Sequence, residues 1–267
     1  MARRHSVSAI KLFHDCPRKY KYRYIDRVKV PREQAGEPLR IGTAVHAGLE
    51  AAAKCMMAEE VTALNVQVTA DADAAIEEAW VEEGLDFTDG SLERCKGWIR
   101  QTLEVWAEES NDFIAVEHKF LTWLPDGSGF IGFADRIDKV SETAIEIRDY
   151  KNTRDVTKAE KLLNDIQVNM YAYFARETWQ WCETVYVSHQ HPNHDGEVVR
   201  VRLTDDTIGE AVDRFLSTIE MIETEEEWTP RPSKACDWCD FTDICPAMEA
   251  KRNIDVDESA KREVLDF

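Results

Sequence analysis

The order of elements written into this chain predicts an α/β fold, a mixed central sheet flanked by helices and preceded by a helical N-terminal region. Three observations carry it. Apolar residues recur at helical spacing through the first hundred residues, the pattern changes to alternation near Phe113, and helical and alternating stretches then exchange places as far as residue 227.

Each element has its own signal. Ser6 or Ser8 can cap a helix that runs through Ile10, Leu12 and Phe13 towards Cys16-Pro17, and a second helical segment with Tyr20, Tyr24 and Ile25 follows. Pro31 to Pro38 reads as a loop. From Ile41 to about Glu60, the positions Ala44, Val45, Ala47, Leu49 and Ala51 to Ala53 trace a helix, and Ala-rich acidic helices follow at about 70–84 and 91–110. Phe113–Leu124 alternates as a strand, Pro125-Asp126-Gly127-Ser128-Gly129 turns, and Phe130–Val140 and Thr143–Tyr150 complete a meander. A long helix at about 158–178, strands at about 183–190 and 197–203, and an acidic helix at about 205–227 finish the order. The expected organisation is a basic N-terminal region (1–40), a core (41–227) with a helical segment at about 60–110, a cysteine-rich segment (228–246) and a loose polar tail (247–267).

At 267 residues and 43% hydrophobic content the chain can bury a full core without disulfides. Seven cysteines is an odd number, and neither a signal peptide nor a membrane-length apolar run is present, so the expectation is a soluble protein in a reducing compartment, the cytoplasm. The formal net charge of −19 argues against a nucleic-acid partner until its distribution is examined. Residues 1–40 hold eleven Lys or Arg against four acids, a local balance of +7 that leaves −26 for the remainder. The run Arg18-Lys19-Tyr20-Lys21-Tyr22-Arg23-Tyr24 is either the solvated side of a helix or a strand-binding surface, and its interleaved tyrosines favour the second.

The chemistry concentrates at two strand ends. Asp135 and Asp149 fall on adjacent strands joined by a short turn, and Lys151, two residues beyond Asp149, shares its face. Two carboxylates can hold Mg²⁺ or Mn²⁺ while an ammonium beside them orients water or neutralises developing charge, an arrangement suited to phosphodiester hydrolysis. By itself Asp-x-Lys is most often a surface ion pair. Gln167 and Tyr171 lie one turn apart on the following helix, and His46 and Glu50 are one turn apart upstream. Cys236-x2-Cys239-x5-Cys245, with Cys16 over two hundred residues away, reads as a metal site holding zinc or an iron–sulfur cluster. Cys55, Cys95 and Cys182 read as small core residues.

Taken in order, Ser8-x7-Cys16-Pro17-x2-Tyr20, Gly42-Thr43-x2-His46, Gly132-x2-Asp135-Arg136-Ile137-Asp138, Asp149-Tyr150-Lys151, Gln167-x3-Tyr171 and Cys236-x2-Cys239-x5-Cys245-Pro246 resemble the RecB-like exonucleases of the PD-(D/E)XK superfamily. Within them the pattern is similar to the iron–sulfur branch that includes CRISPR-associated single-strand exonucleases and phage relatives. Ala134 stands where the superfamily's name has proline, and Asp149 where it allows glutamate. The resemblance implies His46, Asp135, Asp149 and the Tyr150 carbonyl as metal ligands, Lys151 as the catalytic lysine, and Gln167 and Tyr171 as substrate-positioning groups, with Glu50 and Glu117 as further candidates. It also implies a [4Fe-4S] cluster on Cys16, Cys236, Cys239 and Cys245, which the remote cysteine, the tight trio and Pro246 fit better than paired zinc knuckles. Such a cluster is expected to clasp the two chain ends and position the basic N-terminal helices over the active site. The implied activity is a metal-dependent DNA exonuclease working on single strands or ends, 5′ to 3′. A non-hydrolytic DNA-end binding or adaptor protein of recombination, repair or CRISPR adaptation is the alternative, and a zinc-stapled protein unrelated to DNA is a third. Converging carboxylates favour the enzyme, because pure binding gives no reason to place them beside phosphates.

Overall fold

The computed structural model describes residues 4–30, 36–109, 112–124 and 126–249. In chain order the elements are strand β1 (Arg4–His5), helix α1 (Val7–Asp15), helix α2 (Pro17–Tyr20) with a π-helical turn over Lys21–Ile25, and helices α3 (Glu37–Glu59), α4 (Val66–Glu82) and α5 (Ser91–Glu108). Strands β2 (Phe113–Trp123), β3 (Gly129–Ser141) and β4 (Ala144–Tyr150) follow, then helices α6 (Ala159–Leu163) and α7 (Ile166–Thr178), strands β5 (Thr184–His191) and β6 (Glu197–Arg202), and helix α8 (Asp205–Thr224). The chain divides into two compact units, Met1–His5 with Gly36–Ser217, and Ser6–Ala35 with Thr218–Phe267.

The first unit holds the sheet, in the order β1-β3-β4-β5-β6, with β2 also on β3. The pairs β2–β3, β3–β4 and β5–β6 are antiparallel, whereas β4 and β5 are parallel, Ala144 against Thr184 through Tyr150 against Gln190. A parallel pair needs a crossover, and α6 and α7 supply it. The expected single helix at 158–178 is in fact two, because the Asp165 carboxylate accepts the Gln167 N–H at 2.7 Å and starts a new helix there. Helix α3 begins four residues earlier than its apolar pattern, since Pro38 is tolerated in a first turn. The two-residue strand β1, parallel to the start of β3, carries no pattern from which to expect it.

Beside the sheet, α3, α4 and α5 close a core of Ala44, Val45, Leu49, Ala52, Ala72, Ile76, Trp80, Ile99, Leu103 and Trp106. Small residues let these helices approach, and at Gly48 a Cβ would lie 2.5 Å from Ile99 Cδ1 and 3.2 Å from the Ala72 carbonyl oxygen. Cys55, Cys95 and Cys182 are buried, and burial pushes the Cys95 thiol up to about 11.

The second unit joins segments from both ends of the chain. Ser6 caps α1, its hydroxyl accepting the Ala9 N–H at 3.1 Å. Tyr20 stacks on Trp228 with ring centroids 5.9 Å apart, Tyr22 Oη donates to the Ile244 carbonyl at 3.0 Å, and Arg231 donates to the His14 carbonyl at 2.6 Å. The basic run serves this assembly: Arg23 pairs with Asp240 at 2.5 Å, Lys21 with Asp26 at 2.8 Å, and Arg18 donates to the Glu227 carbonyl at 3.3 Å. Most of the loop expected at 31–38 and the polar tail beyond Glu249 lie outside the described residues.

Candidate active site

Helix α3 presents its apolar stripe to α4 and α5, which turns His46 away from that core and towards the ends of β3 and β4. His46 Nε2 donates to the Tyr150 carbonyl at 2.9 Å, and Nδ1 lies 3.6 Å from Asp135 Oδ2. Burial works against a charge on this ring, but Asp135, Asp149 and the Tyr150 carbonyl outweigh it and raise its pKa to about 9. The same Asp135 oxygen accepts the Tyr150 N–H at 2.7 Å, so both peptide groups flanking Tyr150 are engaged by the site.

Glu117 enters from β2. It lies between the pairs Val116–Arg136 and His118–Ala134, hence opposite Asp135, with a left-handed φ of 50°. One ligand atom from each of His46, Glu117 and Asp135 falls within 4.8 Å of the others. Burial, with Asp135 and Glu50 nearby, pushes the Glu117 carboxyl up to about 7. Glu50 lines the same cleft of about 730 Å³ but is paired with Lys54.

Asp149 is the hub of the second half. Lys151 Nζ lies 2.5 Å from Oδ2, and Gln167 Nε2 donates to Oδ1 at 2.9 Å from the first turn of α7. Burial raises the Asp149 carboxyl against the pull of Lys151; it also opposes the lysine's charge, which Asp149 nevertheless holds in place. One turn after Gln167, the Tyr171 hydroxyl accepts the Phe133 N–H at 3.2 Å. Gly132 makes room for that ring, since a Cβ there would sit 2.5 Å from Tyr171 Cε1.

The opposite faces of the same strands are charged and buried. Arg136 donates to Asp138 at 2.7 Å and lies over Trp106 and Phe113; Arg148 binds Glu109 at 2.8 Å and Glu146 at 3.1 Å; Glu146 also accepts from Ser188 at 2.6 Å and Arg200 at 2.7 Å. Alternation puts this network directly behind Asp135 and Asp149, where it fixes the strand ends that carry them.

A further set holds the loop after Lys151. Asn193 Nδ2 donates to the Thr153 carbonyl at 2.8 Å, with His194 Nε2 on the same oxygen at 3.1 Å. Thr157 is gripped twice, its N–H donating to His191 Nε2 at 3.1 Å and its hydroxyl 3.0 Å from His189 Nδ1. These histidines are not among the expected site residues, although the run His189-x-His191-x2-His194 at the end of a strand is a visible signal.

In the second unit Cys16, Cys236, Cys239 and Cys245 line one cavity. The backbone N–H groups of Arg231 and Ser233 point at the sulfurs of Cys16 and Cys236, 3.5 Å and 3.4 Å away.

Residues 4–246 match the PD-(D/E)XK nuclease superfamily, and the chain belongs to it. Among solved structures, a protein from Eubacterium rectale described as a "putative exonuclease" shares the fold, with a TM-score of 0.57 at 14% identity over 91% of this chain and 89% of that one. A second, SSO0001, matches at 16% identity over 78% and 85% of the two chains, with a TM-score of 0.36 that carries no argument. No curated protein matches the chain. No helix among the described residues is long and apolar enough to cross a membrane.

The donor set of the first unit fits a hard divalent cation. It offers carboxylate oxygens, a peptide carbonyl and one imidazole, ligands that magnesium and manganese accept, and its acids are crowded enough for Asp135 and Glu50 to raise the Glu117 carboxyl.

Proposed function

We propose that the chain is a divalent-metal-dependent DNA exonuclease acting on single strands or ends, with 5′-to-3′ polarity implied by its resemblance to the RecB-like enzymes. The observation that carries this reading is the convergence of His46, Glu117 and Asp135, from α3, β2 and β3, on one cleft, with the Asp149–Lys151 ion pair at the end of β4 close enough to act on Asp135 and His46. His46, Asp135, Asp149 and the Tyr150 carbonyl hold Mg²⁺ or Mn²⁺, with Glu117 as an additional ligand. When bound, the ion polarises the phosphate and lowers the pKa of water. Lys151, anchored by Asp149, sets a positive charge where negative charge develops as the phosphodiester is attacked. Gln167 fixes the free rotation of Asp149, and Tyr171 holds the β3 backbone one residue away from Ala134-Asp135.

The four cysteines of the second unit hold a [4Fe-4S] cluster, in a structural role. In support, all four line one cavity, and two of the sulfurs face peptide N–H groups, a common way of stabilising cluster thiolates. Colour, iron and acid-labile sulfide in anaerobically purified protein test this against zinc.

The test of the nuclease is a digest of end-labelled single and double strands with Mg²⁺ or Mn²⁺. Asp149→Ala and Lys151→Ala each lower turnover at least about a hundredfold, while DNA binding is largely kept. Chelation stops hydrolysis, and metal restores it. Wild-type turnover in Asp149→Ala, or activity in excess chelator, overturns the assignment.

A further inference from the structure

Among the described residues strand β2 is an edge strand, and its hairpin with β3 exposes a row of large apolar side chains, a feature that proteins generally keep off sheet edges. Leu121, Trp123 and Phe133 are 47%, 53% and 46% exposed. The register sets Lys119 against Phe133, Leu121 against Ile131 and Trp123 against Gly129, so these side chains share one face in a row. Gly129 leaves space for the indole, because a Cβ there would lie 3.0 Å from the Trp123 ring. Cations alternate with the rings: Lys119 Nζ is 5.8 Å from the Phe133 centroid, and Arg4 Cζ is 5.3 Å from that of Trp123. Along β3 the same face continues from Ile131 and Phe133 to Asp135, a carboxylate of the candidate metal site.

We infer that this row is the track along which a single-stranded DNA substrate is laid on its way to the carboxylates, an inference that rests on the nuclease reading above. Unpaired bases present π-faces that stack on Phe133 and Trp123, which a duplex keeps to itself. A base on the Phe133 ring displaces the Lys119 ammonium towards the backbone, where it meets a phosphate. Charge argues for this occupant, since a chain of net charge −19 keeps two cations among these rings, where a polyanion passes. A protein adding a strand would pair with the free backbone edge of β2 and would have no use for an aromatic side chain on β3.

The experiment compares full-length wild type with Phe133→Ala/Trp123→Ala in steady-state hydrolysis of a long oligothymidylate and of a blunt duplex of the same length. The expected result is a KM for the single strand raised about tenfold or more with kcat retained, a smaller change on the duplex, and an unchanged melting temperature. Lys119→Gln should lower the salt dependence of single-strand binding by about 0.7 in log–log slope. An unchanged KM, or an equal rise on both substrates, overturns the track. So does a wild-type dimer that the double variant dissociates without any change in KM, which would make the row a contact between copies of this chain. Should the wild type hydrolyse neither substrate, the nuclease reading fails on its own. The track is then judged by fluorescence anisotropy of labelled oligothymidylate in Ca²⁺, where equal affinity of both proteins overturns it.

Discussion

Glu117 occupies a backbone conformation that costs a residue with a Cβ about 1–2 kcal/mol, in a strand where its neighbours are extended. It also brings a half-buried carboxylate towards Asp135, with Glu50 nearby. Both penalties are intelligible at a site that, as proposed, gathers charge for a cation. Glu117→Gly should therefore separate stability from function. In metal-free buffer the melting temperature rises by about 2–4 °C as strain and repulsion are relieved, while activity at limiting Mn²⁺ falls about tenfold or more through the lost ligand. A lower melting temperature with full activity would show that Glu117 serves the fold instead. Asp135, Asp149 and Lys151 were legible as a strand-end cluster from residue type and spacing, whereas His46 and Gln167 stood out only through the resemblance; hydrogen bonds now tie His46 and Asp135 to the Tyr150 backbone, and Lys151 and Gln167 to Asp149. Glu117 was only a further candidate implied by the resemblance, because a positive φ leaves no mark on residue type.

Elements with a strong period were readable to within a few residues, and those that depend on a single contact were not. The break between α6 and α7 turns on one Asp165 side chain, and β1 on two residues whose partners are over a hundred positions away. The network of Arg136, Asp138, Glu146 and Arg148 was hidden because alternating charges read as a solvated face, whereas their mutual pairing lets them be buried. The loop from Asn152 to Lys158 belongs to the same class. It has no secondary structure of its own, yet it carries the chain away from Lys151 and is pinned by Thr157 to two histidines on β5. His191→Leu removes the acceptor of the half-buried Thr157 N–H, at a cost of about 1 kcal/mol. We expect it to lower kcat at least tenfold with little change in KM, because the loosened loop frees Lys151 without touching the proposed DNA track. His191→Gln, whose amide oxygen can reach the same N–H, should restore much of the rate. Equal loss in both variants would mean that the imidazole itself, and not its hydrogen bond, is required.

For the whole molecule the relevant fact is that one unit is made from the two ends of the chain, with α1, α2 and residues 218–249 held by Trp228, Arg231 and Asp240. This assignment changes what the basic N-terminal run does. Arg18, Lys21 and Arg23 are engaged by partners inside their own unit, so these three cations of the run stabilise structure. Those contacts are largely exposed and individually weak. A cluster tying Cys16 to Cys236, Cys239 and Cys245 closes a loop of over two hundred residues, which by the scaling used for disulfides is worth about 5 kcal/mol in unfolded-state entropy. Cys16→Ala should therefore bleach the visible absorbance, lower iron content and melt the second unit at a lower temperature, because three thiolates leave an iron exposed and the ends lose their tether. The same change at Cys55, Cys95 or Cys182, all buried away from that cavity, should cost packing but keep the colour. Iron and sulfide assays on the four variants decide the matter. Full cluster content in Cys16→Ala with loss in one of the other three would remove Cys16 from the ligand set, and with it the claim that a cluster joins the two ends of this chain.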